Sequence, residues 1–397
     1  MESRARRVVT GCLCLGVATL LWVPFLRHFL FTEHDRNPIW TGPGLSPYTR
    51  ALAARHLAFW SDPAQRSREL GDLRRSNAEW DFMGRTYFVL ALANMSLREP
   101  ALKTQALSII DYIVEETLRL ESRQGFYHFS MPYARNRPYV DSPARSQFVD
   151  SEIVLMMGAR RLVEEKEAWR EPLRERVRLM IERMQRSPSL SAESYPDECW
   201  TFDNANALAA IRIADVLDGG DHRPFFREWI EHAKKTLIEP HTGILVSEYT
   251  RAGSAMDGPE GSSIWMVAHA LQLIDEPFAR DQYDRACRHL RRSICGFDVS
   301  REWPADATGR QDIDSGVVIP IVEASPGASG LALLGAASFG DSGFYGGLLA
   351  SLEMAAFPVS NNGSLRYAAS NQVGDAVLLY STVVGPLWAE VKRRGGE

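Results

Sequence analysis

After residue 47, apolar side chains recur every three or four positions along almost the whole chain, the spacing that places them on one face of an α-helix. Segments 48–60, 79–96, 100–120, 146–165, 170–186, 202–217, 223–238, 260–274, 278–294, 316–339, 341–356 and 371–392 carry this pattern and predict about twelve helices. Ser46 before Pro47 is a start signal for the first. Asp221-His222-Arg223-Pro224 opens another, with the proline tolerated in its first turn. Alternating β-branched runs are short and fall between the helices.

Three glycine-led pieces recur. Gly125-Phe126-Tyr127-His128-Phe129-Ser130, Gly243-Ile244-Leu245-Val246-Ser247 and Gly363-Ser364-Leu365-Arg366-Tyr367 begin 118 and 120 residues apart. A period near 120 is two helical hairpins of about 60 residues, and repeated hairpins must stack to bury their apolar faces. Six such hairpins predict an all-α fold, an (α/α)6 toroid, with the glycine-led pieces as short strand-like returns at one rim. A superhelical solenoid is the alternative. Rim loops are where such a fold has room for chemistry, because its walls are used for packing.

The first 36 residues differ. Arg4, Arg6 and Arg7 precede an uncharged run from Val8 to Leu26, which as a helix spans about 28 Å, close to the hydrocarbon thickness of a bilayer. This predicts a signal-anchor segment over 1–36 that meets the membrane through residues 8–26, then a Pro/Gly linker over 37–46 and a domain over 47–397. A signal peptide cleaved near Gly16-Val17-Ala18 competes with it, although apolar sequence continues past that point. Val9-Thr10-Gly11-Cys12 resembles a lipobox, but its apolar run follows the cysteine. Arginines ahead of the run place the domain on the extracytoplasmic, periplasmic side.

Composition narrows the function. Hydrophobic residues make up 45% and charged residues 24%, ordinary for a globular domain, and the net charge of −5 argues against a nucleic-acid partner. Five cysteines at irregular spacing form no disulfide framework, and no CxxC or HExxH sequence points to a metal. No cofactor is implied.

The densest cluster of candidate chemistry is Ser194-Tyr195-Pro196-Asp197-Glu198-Cys199-Trp200-Thr201-Phe202-Asp203-Asn204-Ala205-Asn206. Acids, amides and three aromatics in one inter-helix segment suit the lining of a pocket, whereas the bland alternative makes Asp203 a helix cap and the aromatics core. Asp150-Ser151-Glu152 opens an apolar helix, where acids complement the helix dipole or point inward. Glu248 follows the second glycine-led piece. Asp312-Ile313-Asp314-Ser315-Gly316 either caps a helix or binds polar groups. Arg366 and Tyr367 close the third piece, the arginine suited to holding a carboxylate. Asp81 stands at a helix start. Cys199 has no nearby histidine and reads as structural, as do His128 and His241.

At these residues the chain resembles the linalool dehydratase/isomerase family, whose fold is an (α/α)6 barrel. The resemblance runs from about Trp80 onward. It rests on Pro196-Asp197 with the helix after Asp203, on Trp265 to Tyr283 with Asp275-Glu276-Pro277, on Asp312 to Gly316, and on Ser364 to Tyr367. It implies that two pocket cysteines of the family fall at Ser194 and Asp203, its pocket histidine at Glu152, and a pocket tyrosine near Glu248. A thiol/imidazole pocket would thus have become a carboxylate one.

The expected catalytic residues are therefore Glu152, Asp203 and Glu248. Asp81, Tyr195, Asp197, Glu198, Trp200, Asp314, Arg366 and Tyr367 are the expected substrate contacts. Facing carboxylates with separated pKa values serve dehydration, hydration or isomerisation of an alcohol, and equally the hydrolysis or elimination of a glycan. A non-catalytic binding toroid is the third reading.

Overall fold

The computed structural model describes residues 2–30, 40, 42–307 and 317–396. Its helices in chain order are α1 (Glu2–Leu30), α2 (Pro47–Ser61), α3 (Pro63–Ser76), α4 (Ala78–Arg98), α5 (Lys103–Gln124), α6 (Gln147–Val163), α7 (Arg170–Arg186), α8 (Thr201–Asp218), α9 (Arg223–Thr236), α10 (Gly261–Leu271), α11 (Glu276–His289), α12 (Pro326–Ser338), α13 (Ser342–Ala355), α14 (Gln372–Val383) and α15 (Pro386–Gly395). Short strands interrupt them: β1 (Cys199–Trp200), β2 (Glu248–Tyr249), β3 (Ala255–Asp257), β4 (Arg291–Ile294), β5 (Phe297–Ser300), β6 (Pro358–Asn361) and β7 (Ser364–Tyr367). The chain is thus mostly helical.

Two kinds of helix are distinguished by where their apolar residues lie. In α4, α6, α8 and α10 burial is nearly continuous, including every residue from Gln147 to Leu162 in α6 and from Thr201 to Asp215 in α8. A helix apolar on all sides belongs inside. In α5, α7 and α9 burial follows one stripe, such as Leu173, Val177, Met180, Ile181 and Met184 of α7. Such helices cover the inner ones. The inner helices pack in sequence, α4 on α6, α6 on α8, α8 on α10, α10 on α12 and α12 on α14, and α14 packs back on α4.

Helix ends follow local signals. Ser46 Oγ accepts from the Thr49 amide at 3.0 Å, and Asn77, Asp275, Asp341 and Asn371 cap their helices in the same manner. One helix, α3, goes unpredicted by periodicity, because only Leu70 and Leu73 of its fourteen residues are buried. The expected 371–392 helix is two, broken at Gly385 (φ +121°) and Pro386. The expected 278–294 helix ends at His289, and its tail becomes β4. Cys295 and Gly296, at φ +52° and +83°, reverse the chain into β5. The 316–339 helix begins only at Pro326, behind the Ser325 cap.

The glycine-led pieces differ from one another. After Gly125 the chain makes a 3-10 turn over Phe126–His128 instead of a strand. Gly243 precedes a single bridge between Ile238 and Leu245, and Gly363 turns the β6–β7 hairpin.

At the start of α10, backbone crowding makes a specific prediction. A Cβ on Gly261 would lie 2.2 Å from the Arg301 carbonyl and 2.7 Å from the Ala328 Cβ, so neither neighbour can yield as a side-chain tip would. Gly261→Ala is expected to cost about 1–3 kcal/mol, read as a lower thermal midpoint.

The first helix stands apart. Its Arg4–Val23 stretch is long and apolar enough to cross a membrane, and none of that stretch is buried inside the protein.

Candidate active site

A cavity of about 510 Å³ opens where the inner helices begin. Every inner helix contributes residues from its first turns or the positions just before them: Asn77, Glu79 and Met83 for α4, Phe148 for α6, Trp200 and Asp203 for α8, Glu260 and Ser263 for α10, Pro326 and Leu331 for α12, Asn371 and Val377 for α14. The inner helices therefore run in one direction, with six positive dipole ends around one space. Trp80, Tyr87, Tyr133, Tyr195 and Phe202 complete a wall that is mainly aromatic and aliphatic.

The cluster between α7 and α8 is held from below. Asn204 accepts the Ala192 amide at 2.9 Å and donates to the carbonyls of Ala192 and Trp200, stapling the loop under the start of α8. Buried Glu193 receives the amides of Val140, Asp141 and Asp197 at 2.9, 2.7 and 2.6 Å. These bonds fix Tyr195 and Trp200 at the cavity wall. The Thr201 amide closes the first turn of α8 on the Ser247 carbonyl at 2.9 Å, so Asp203 is not the helix cap. Its side chain instead lines the cavity, while Asp203 as a whole is only 5% exposed.

Burial pushes the Asp203 carboxyl up to about 8, the Ser194 hydroxyl working against the shift and the charge of Glu79 adding to it. Asp203 is thus largely protonated at neutral pH. Glu79, in the first turn of α4, is the second acid on the wall, and the Tyr195 hydroxyl donates to it. The same Tyr195 oxygen accepts the Met131 amide at 2.9 Å, and the Tyr133 ring stacks on Tyr195 at 4.5 Å. Glu260, just ahead of α10, is the third acid. Two donors complete the wall: Tyr87 Oη and Trp200 Nε1 are buried with no hydrogen-bond partner among the described residues.

Of the three expected catalytic acids, only Asp203 lines the cavity. Glu152 lies behind the wall on α6 and accepts the Thr86 hydroxyl at 2.7 Å. Burial drives its carboxyl well above the usual range, and the nearby carboxyls of Asp203 and Glu79 add to the shift. Glu248 is buried in β2, paired with Trp200 on β1 and Asp257 on β3, and is not among the lining residues.

Of the expected substrate contacts, Tyr195 and Trp200 line the cavity. Asp81 is engaged elsewhere, by Arg85 Nε at 2.9 Å and Arg74 at 3.8 Å. The Asp197 carboxylate receives the Arg251 amide at 3.1 Å, and Glu198 pairs with Arg137 at 2.9 Å. Arg366 is exposed on β7, opposite Val359. The Tyr367 hydroxyl meets Tyr48 at 2.8 Å and donates to Glu353 at 2.5 Å, tying β7 to α2 and α13. Asp314 lies outside the described residues.

Cys199 is a buried thiol that burial pushes well up, 3.8 Å from the Ser191 carbonyl, in keeping with a structural role. Among the described residues, no cluster of three or more His, Cys, Asp or Glu side chains is arranged to hold a metal ion.

Glu79 and Glu260 were missed from the sequence. The available signal was positional, since an acid stands at the start of α4, α6, α8, α10 and α14 alike. No protein-family model matches the chain, and no curated protein matches it.

Proposed function

We propose that the chain is a membrane-anchored enzyme of (α/α)6-toroid architecture, of the linalool dehydratase/isomerase-like kind, performing acid/base chemistry on an alcohol with a largely apolar body. The cyclic packing of the six inner helices supports the toroid. The apolar α1, preceded by Arg4, Arg6 and Arg7, supports an anchor with the domain on the extracytoplasmic side.

The observation that carries the chemistry is the Asp203 carboxyl, buried on the wall of a cavity that holds a second carboxyl, where burial pushes it up to about 8. Dehydration uses both. Asp203 gives its proton to the departing hydroxyl as the C–O bond breaks. Glu79, held by Tyr195, takes a proton from the adjacent carbon, a C=C bond forms, and water leaves. Hydration is the same path reversed. Tyr87 and Trp200 form part of the wall around these acids, and Glu152 lies behind it, bonded to Thr86.

A glycan-active hydrolase or lyase is the second reading, favoured by Trp80, Trp200, Tyr133 and Tyr195 around the same acids. The test is a turnover screen of terpenoid alcohols beside oligosaccharides, with wild type and Glu79→Gln in parallel. Release of alkene and water, reduced at least 100-fold in Glu79→Gln, is the expected result. Oligosaccharide cleavage in place of alkene would install the second reading. Ligand binding with no turnover would leave a binding toroid.

A further inference from the structure

Two apolar loops flank the cavity on the α12 and α14 side. One is the turn at 319–324, closed by a bridge between Ile319 and Ala324, whose Ile321 is 91% exposed at φ +71°. The neighbouring Val317 lines the cavity and is also exposed. The other runs from Met354 through Phe357 to Val359, with Phe357 66% exposed at φ +54°. Left-handed backbone is costly at a β-branched or bulky residue, so these side chains are displayed against a conformational penalty. Arg366 stands across the hairpin from Val359.

The tether says what covers them. Residues 31–46 join α1 to α2 and reach at most about 55 Å even fully extended. They enter the domain at Ser46 and Pro47, and the next residue, Tyr48, bonds Tyr367 of the same β6–β7 hairpin at 2.8 Å. Phe357 is joined to that hairpin through the Ala368 amide, and Ala369, Ser370 and Asn371 then line the cavity. The tether's entry, the β6–β7 hairpin and the cavity rim are thus linked in turn by hydrogen bonds and chain continuity.

We infer that this face docks on the bilayer that α1 enters, with Ile321 and Phe357 in the interfacial layer and Arg366 among anionic headgroups, so that the cavity takes a membrane-partitioned alcohol directly from lipid. This rests on α1 spanning the membrane and deepens the proposed function without depending on turnover. Single apolar insertions gain strength from an anchor that holds them at the surface.

The test uses the full chain in vesicles of phosphatidylethanolamine and phosphatidylglycerol, with a photoreactive benzophenone residue placed at Ile321, at Phe357 or, as control, at Glu171 at the start of α7. Phospholipid adducts at positions 321 and 357, at least tenfold above position 171, are expected. Equal yields, or adducts to a second copy in place of lipid, overturn the docking. Release of the chain by a carbonate wash overturns docking and anchor together. A chain retained by the membrane without lipid adducts overturns docking alone, and absent alkene formation overturns only the chemistry. Hydrogen exchange gives a reading independent of the photoreactive residues. Amides of 317–324 and 357–368 should slow on transfer from detergent to vesicles in the parent, and not in Ile321→Glu/Phe357→Glu. Unchanged exchange in the parent overturns the proposal.

Discussion

Asp203→Asn lowers turnover by about 10²–10⁴-fold and at the same time raises the melting temperature. Both effects come from one feature, a carboxyl held neutral in a closed wall. The amide fills the same space and cannot deliver a proton. In stability the signs run the other way. The unfolded chain ionises Asp203 near pH 3.9, while the folded chain holds its proton until about pH 8. Below pH 4 both states are protonated and the residue costs nothing through ionisation. As pH rises from about 4 to about 8 the unfolded state gains an ionisation that the folded state resists, and wild type loses stability by up to about 5 kcal/mol relative to the variant. The gap then stays level. Thermal midpoints of both proteins at pH 4.5, 6 and 8 should diverge steadily. Wild-type turnover should fall as pH passes about 8, because the acid form is the working one. Parallel midpoints across this range would contradict a neutral Asp203.

The second large effect comes from the first turn of α6, beside the cavity wall. Asp150 is 1% exposed at the start of α6, where Arg145 Nε reaches it at 2.9 Å and Arg183 Nη2 at 2.7 Å, with Arg176 as a third partner. Despite the cost of burial, these guanidiniums hold its carboxyl far below the usual range. Asp150→Ala leaves Arg183, itself 4% exposed, without its carboxylate, and is expected to cost about 3–5 kcal/mol. Asp150→Ala/Arg183→Met should recover part of that loss, since removing both charges is cheaper than stranding one. A depressed carboxyl stabilises above its unfolded pKa, so this contribution is complete above about pH 4 and is lost progressively as pH falls from there toward the much lower folded pKa. Denaturation monitored by circular dichroism at pH 7 and pH 3 reads both statements. Phe148 of the cavity wall lies on the same turn, so Asp150 also anchors the site.

The helical character was legible because burial in α5, α7 and α9 follows the very stripe that periodicity detects. Where apolar residues were sparse, as in α3, the pattern had nothing to report. Where they were continuous, as in α4 and α8, periodicity marked a helix without saying which faces meet which neighbours. Within the site, Tyr195, Trp200 and Asp203 were visible because aromatic and acidic residues crowd one connecting segment. Glu79 was obscured by its neighbour Asp81, whose carboxylate serves Arg85 instead. Residues two apart on a helix point about 200° away from each other, so one of this pair had to face elsewhere. Arg366 and Tyr367 carried plausible chemistry in a motif whose place in space no local pattern encodes.

The seam between α4 and α14 has a consequence for the order in which the protein can be made. Its partners are nearly three hundred positions apart, and the adjoining α15 adds a 2.9 Å bond from the Leu387 amide to Asn94 Oδ1. During synthesis α4 emerges early, with one apolar side left bare, and the helix that covers it is among the last to arrive. At roughly 5–20 residues per second, that side waits on the order of fifteen seconds to a minute for its cover. On the proposed anchor, α1 has by then entered the bilayer, so α4 waits for its cover within a nascent, tethered domain.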